Sequence, residues 1–535
     1  MKTTHISRIG QAVVALSLTL AAAACDEKKT PEDTMGGNPK PLKMETIIFE
    51  PKVAQPGDTI VFTAIVTSTS PNVGEVPVMK WTANGGEFIE DDEFSVRWIA
   101  PTTPGIFGVT AKATNAANSV TSDADVFVGS ARTLIDFDAG EITLIGAGPN
   151  FHFLRYSDIL GAVDVSAYID SVTSDAVDPL RADNVNVVYS PDGNLEAHQA
   201  DSLLFGAFQR PRHVYIGNFA TRALRGLTKD RANPLSNDHH QFGFPSFSPN
   251  SQLVAYQGWL QSWDDVAPDS FHVFVHDLAL QQRTLVTYEH EEPRNFFPTF
   301  STDGNWLTYI SDPTHNGQWD LYGSPMTGNV VDGSLASLTR LTNTGGTLVT
   351  GQPNSFKNPV KAWNPVAAIL AIVSSDGTLY LVETTATGSN VIDVPDPSNP
   401  RELVWSQSGA LLAASTGTRI VTITSAGSVT ERVVALAGDN LRDLAWSPNQ
   451  TWLLYRVTRG GGSWFEVVDI GAAVLTAPLP VTVTATAGEL AVYRGLMSMR
   501  PAWTASNQMI YTEFGLAPPF ESPGVVSRDL SGLGN

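Results

Sequence analysis

The sequence is poor in the residues that most readily betray a function. One cysteine among 535 residues excludes an intrachain disulfide and a thiolate zinc site within one chain. Basic side chains are scarce: 33 Lys and Arg stand against 54 Asp and Glu, for a net charge of −21. No basic face is available to displace counterions from phosphate, which argues against a nucleic-acid partner. The same deficit disfavours adsorption to an anionic membrane surface. Long amphipathic helical patterns are missing. So are the catalytic signatures. Ser406-Gln407-Ser408-Gly409 lacks the first glycine of a nucleophile elbow, and His290-Glu291 is followed by Glu292-Pro293-Arg294 rather than a zinc-binding histidine. There is no phosphate loop or dinucleotide fingerprint. No cofactor, metal or catalytic residue is therefore expected.

The remaining polar clusters read as ordinary surface. His272 and His276 share a strand face, but four residues at about 3.3 Å each set them roughly 13 Å apart, too far to chelate one ion. His239-His240, Asp264-Asp265 and Glu291-Glu292 read as loop residues. The acidic run Glu90–Glu93 lacks the spaced ligands and loop glycine of a calcium site and reads as a solvated turn.

What the chain does have is a repeat. FPTFSTDGNWLTYI, Phe297 to Ile310, holds two short apolar strands joined by a polar turn ending in Asp303-Gly304, the combination that favours a hairpin. The anchor recurs as VVYSPDG at Tyr189, PSFSPNS at Phe247 and PTFSTDG at Phe300. It returns as KAWNPVA at Trp363, LVWSQSG at Trp405, LAWSPNQ at Trp446 and PAWTASN at Trp503. Intervals of roughly 40–60 residues fit propeller blades with loop insertions. The anchors resemble the WD40-like repeats of TolB-type β-propellers, whose pattern is Pro-x-aromatic-Ser-Pro-Asp-Gly followed by an apolar strand. Leu227-Thr228, Val286-Thr287 and Leu341-Thr342 match that family's lead-in to the next anchor. The resemblance covers roughly residues 180–515. It implies a propeller of seven blades, with six or eight as alternatives. Residues 150–180 fit no repeat: they read as an irregular extra blade or an insertion. Tryptophans 363, 405, 446 and 503 are expected between blades. Segments within 133–148 are expected to join the blade around Trp503 and close the ring.

Upstream, the charged start with Lys2 and Arg8, an apolar run from Ala12 to Ala24 and then Cys25 have the layout of an export signal. LTLAAAAC resembles a bacterial lipobox, which implies lipid attachment at Cys25. Ala22 stands where that family usually has Leu, and Ala22-Ala23-Ala24 also suits ordinary signal peptidase. Residues 25–43, rich in Pro, Gly and charge, read as a disordered tether. From 44 to 130, alternating strands with turn signals read as a small sandwich. Ile60, Phe62, Ala64 and Val66 share one face, as do Phe107, Val109 and Ala111. This segment resembles bacterial Ig-like or PKD-type modules, with Trp81 or Trp98 packing in the core without the antibody disulfide. The expected organisation is 1–24 signal peptide, 25–43 tether, 44–130 sandwich and 131–535 propeller, each folded domain with its own apolar core.

The fold class is all-β. The expected function is a membrane-tethered, extracytoplasmic binding or scaffold protein of the bacterial cell envelope, on the inner or outer membrane. Its propeller would take a protein, peptide or glycan on the face bearing the longer connections. Candidate contacts there are Trp259, Trp263, His239, His240, Phe242 and His315. Two alternatives remain: a propeller enzyme, a lyase or hydrolase working at the channel mouth, and a structural subunit of an envelope complex like that of TolB.

Overall fold

The computed structural model describes residues 41 to 533, leaving out 69–76, 137–140, 157–164, 170–175, 202–211, 229–240, 261–269, 288–293, 350–358, 472–477, 482–501, 514–523 and several shorter stretches. The described residues are strands and turns throughout.

The N-terminal unit is a sandwich of two four-stranded sheets. One runs in the order Leu42–Glu50, Thr59–Ser68, Ser95–Ile99, Glu87–Phe88. The other runs Val53–Ala54, Ser119–Val128, Gly105–Thr114, Val78–Ala83. The period-two pattern places Ile60, Phe62, Trp81, Val96, Trp98, Val109 and Ala111 between them, all almost fully buried. The ring of Phe62 meets that of Trp98 edge-on at 5.9 Å. Each indole satisfies its buried N–H on a backbone carbonyl: Trp98 Nε1 donates to Gly85 O at 3.0 Å, and Trp81 Nε1 to Glu93 O at 2.8 Å. Both tryptophans are thus core residues.

The rest is a series of largely antiparallel meanders in which successive strands pair, Thr339–Arg340 excepted, which pairs with Asp320–Thr327; this is the arrangement of a β-propeller. The meanders cover 185–226, 241–285, 295–340, 361–394, 402–434 and 440–480. At most junctions the first strand of one meander packs on the first strand of the next, so first strands surround the axis. Ala131–Asp136 pairs antiparallel with Gly524–Asp529, which continues through Gln508–Glu513 to Ala502–Trp503. A strand from before the first meander therefore completes the last, which joins the two ends of the array and removes an open edge.

The closing segment is shorter than the sequence suggests. Glu141–Ala147 does not join the last sheet. It pairs with Phe151–Tyr156 and, through Val165–Ile169 and Ala176–Arg181, forms a four-stranded sheet of its own. This is the region that fits no repeat, because it lacks the anchor turn.

The anchor motif works locally. In the turn after Phe300, the buried Ser301 hydroxyl donates to Asp303 Oδ1 (2.6 Å) and accepts from the Trp306 amide (3.0 Å). Ser248 does the same with Asn250 and Leu253, Ser447 with Asn449 and Trp452, and Ser190 with Asp192 and Leu195. The serine replaces a ladder bond that the turn cannot supply. The lead-in threonines also bond alike: Thr228, Thr287 and Thr342 accept from the amides of Val214, Val273 and Leu321 at 3.1, 3.1 and 2.9 Å.

Candidate functional site

Up-and-down connectivity gives the ring two rims. The first-to-second-strand turns lie on one; the second-to-third connections and those between blades lie on the other. The first rim is occupied by contacts among its own turns. The Asp192 amide donates to Ser251 Oγ (3.1 Å), Thr302 Oγ1 to Asn364 O (2.7 Å), Asn364 Nδ2 to Gly409 O (2.7 Å) and the Ser408 amide to Gln450 Oε1 (2.9 Å). These bonds run from blade to blade and consume polar groups that a partner would otherwise meet.

The opposite end of the first strands is different. Phe244, Phe297 and Asp443 lie three residues before the anchors Phe247, Phe300 and Trp446, and all three are left-handed, with φ of 53°, 55° and 57°. Each sits in a bulge where the pairing register shifts. Such a conformation costs a non-glycine residue about 1–3 kcal/mol and persists only where its surroundings hold it. The preceding blade does so at two of the three. Gln257 Oε1 accepts from the Phe297 amide at 2.9 Å; the Glu402 carboxylate accepts from the amides of Asp443 (2.6 Å) and Leu444 (3.1 Å). Arg456 pairs with the Asp443 carboxylate at 2.5 Å.

Around these bulges the character of the wall changes. Phe244 meets Phe297 edge-on at 4.8 Å. Lys361 Nζ donates to Phe297 O at 2.6 Å and lies 5.8 Å from the centre of that ring. Burial of its ammonium holds Lys361 far below the ordinary lysine range, at about 7, although other parts of the residue reach solvent. Over the next two blades, charged residues crowd the connection rim. Arg419 pairs with Asp396 and Arg459 with Asp439, while Arg401 and Arg442 are exposed.

The sequence-predicted contacts are scattered by the fold. Phe242 is a core residue, 3% exposed, packed edge-on against Tyr256 and Phe274. The loop reading fails there because Gln241–Phe247 is a first strand whose apolar face turns into its own sheet. Trp259 lies within strand Leu253–Leu260, paired with Gln241 and Phe271, so the strand outlasts the expected loop boundary. Trp263, His239, His240, His315 and Cys25 lie outside the described residues. His272 and His276 are strand residues: His272 Nδ1 lies 3.4 Å from Thr287 Oγ1, and burial lowers its pKa, while His276 is buried. Among the described residues no group of three or more His, Cys, Asp or Glu is arranged to hold a metal. Sequence reasoning missed Arg401, Arg442, Glu402 and Lys361. All four fall two to four residues before an anchor tryptophan, a spacing that could have flagged them.

No family model and no curated protein matches the chain. Several solved structures are similar to it. An oligogalacturonate lyase from Vibrio parahaemolyticus is 11% identical, with a TM-score of 0.41 over 64% of this chain and 98% of that one. The C-terminal WD40 domain of Sif2 is 11% identical, with a TM-score of 0.43 over 75% and 99%. A quinonprotein alcohol dehydrogenase-like protein from Bacteroides thetaiotaomicron is 10% identical, with a TM-score of 0.36 over 81% and 95%. At these similarities none of the three bears on activity.

Proposed function

We propose that the chain is a lipid-tethered, extracytoplasmic binding protein whose propeller takes a partner on the connection rim. We read the ring as eight-bladed, counting the sheet of residues 141–181, and the sandwich as an Ig-like spacer that stands between the tether and the ring. The reading rests on the contrast between the rims. One is stitched turn to turn, whereas the other carries strained, side-chain-braced bulges beside exposed arginines. Strain of that kind concentrates where a scaffold holds groups for a ligand. Proteins and peptides are the favoured partners, through the loops between blades.

Photo-crosslinking in native cells tests this. A crosslinking residue at Leu436, exposed on the connection rim, should capture a partner, and one at Asn449, exposed on the turn rim, should not. Capture from Asn449 alone would put the binding face on the wrong side. The tether is tested separately: Cys25→Ser should leave the protein unlipidated and soluble after cell fractionation, and an unchanged membrane fraction would end that part of the proposal.

A further inference from the structure

Arg401 and Arg442 come from neighbouring blades, one directly before strand Glu402–Trp405 and the other within strand Asn440–Trp446. Gly417 and Asn440 lie between them. Arg442 Nε is 3.5 Å from Asn440 Oδ1. Gly417, on the second-to-third turn between them, explains the closeness of the other. A Cβ there would meet Asn440 Oδ1 at 2.8 Å and Arg401 Nη1 at 3.5 Å. Gly417 also has φ of 92°, and its carbonyl accepts from the Leu441 amide at 2.7 Å. Two exposed arginines thus stand on either side of Gly417 and Asn440 in a chain of net charge −21.

The acids that could neutralise them are already engaged. Glu402 accepts from the two bulge amides, Asp443 pairs with Arg456, Asp439 with Arg459, and Asp396 with Arg419. Among the described residues no carboxylate lies within ion-pair distance of Arg401 or Arg442. Their planar forks match a carboxylate, which can accept two parallel N–H bonds from each. Exposed apolar residues border the same turn. Val434 and Leu436 are 62% and 66% exposed, and the Ala435 amide between them donates to Thr418 O, next to Gly417.

We infer that Arg401 and Arg442 form a docking site for an acidic peptide segment, its carboxylates on the two arginines and an aliphatic side chain against Val434 and Leu436. The inference rests on the binding-face reading above. Charge complementarity selects the acid, and the adjoining aliphatic pair selects a peptide over an acidic sugar.

Fluorescence anisotropy on the full-length protein tests it. The probe is a labelled ten-residue peptide of Asp, Glu and Leu; its Asn and Gln counterpart is the control, and an oligouronide is the competitor. Arg401→Gln and Arg442→Gln should each weaken binding of the acidic peptide about tenfold or more, with unchanged melting. Arg401→Lys should recover only part of it, because an ammonium cannot supply the fork. Lys80→Gln, which removes an exposed charge from the sandwich, should have no effect. Equal binding of the uncharged peptide, an equal loss in Lys80→Gln, or no binding of the acidic peptide at its solubility limit would overturn the site. Arginine-dependent binding of the oligouronide alone would overturn the choice of a peptide. Crosslinking from Leu436 that persists in both arginine variants would leave the binding face standing and end only this inference.

Discussion

The indole Nε1 of Trp446 donates to the backbone carbonyl of Val404, 3.0 Å away and one blade back. Val404 directly precedes Trp405, whose own Nε1 donates at 3.0 Å to Ala362 O. Ala362 in turn precedes Trp363, which donates to Thr299 Oγ1 at 3.2 Å, and Thr299 precedes the anchor Phe300. Each of these three tryptophans is thereby tied to the residue before the preceding anchor. The tryptophan fills the gap between blades and satisfies an acceptor there, a carbonyl for Trp405 and Trp446 and a hydroxyl for Trp363.

Trp405→Phe should therefore destabilise by about 1–3 kcal/mol, since the ring is kept while Ala362 O loses its donor. Trp405→Ala should cost about 3–5 kcal/mol through the added cavity. Chemical denaturation of the two variants measures both. An undiminished stability in Trp405→Phe would mean that the hydrogen bond contributes nothing.

Ring closure is carried by Ala131–Asp136 and not by the residues after it. Replacing 131–136 with a Gly-Ser stretch of equal length should lower the melting temperature and promote aggregation through the freed edge of Gly524–Asp529. The same replacement at 148–150, between two strands of the separate sheet, should leave closure intact. Limited proteolysis of the C-terminal strands distinguishes them.

The sandwich and the propeller are less separable than two independent cores imply. Phe127, at the end of the sandwich strand Ser119–Val128, is fully buried among Phe465, Val467, Leu479 and Met509 of the last blades. Gly129 follows because a Cβ there would lie 2.5 Å from Asp529 O and 2.6 Å from the Phe127 ring. Removing residues 44–129 should then destabilise the propeller, and Phe127→Ala in the full chain should reproduce much of the loss, about 3–5 kcal/mol. A truncated chain that melts with the full-length protein would show the contact to be energetically idle.

Lys361 sets a pH dependence. Its folded pKa is about 7 against an ordinary 10.5, so between those values the unfolded chain binds a proton that the native one does not. Stability attributable to this residue should rise with pH through that window and be flat below it. Against Lys361→Met, the wild type should gain ground from pH 7 to pH 9 in denaturant midpoints. A constant difference would mean that the ammonium keeps its charge in the fold.

Local chemistry made much of this architecture legible. The anchor serine closes its hydrogen bonds within five residues, and the lead-in threonine caps a strand of its own blade, so both leave a mark at fixed spacing. Alternation along Thr59–Ser68 likewise marks a buried face before any partner is known. The sheet of residues 141–181 left no such mark because its strands are joined without an anchor turn. The burial of Phe242 is not legible in the sequence because aromatic content does not say which way a strand faces; its packing against Tyr256 and Phe274 decides that. The convergence of Arg401, Gly417, Asn440 and Arg442 could be decided only by tertiary structure. Ring geometry sets the top of one blade beside the top of the next, and residues about 40 positions apart become neighbours only once that packing is complete.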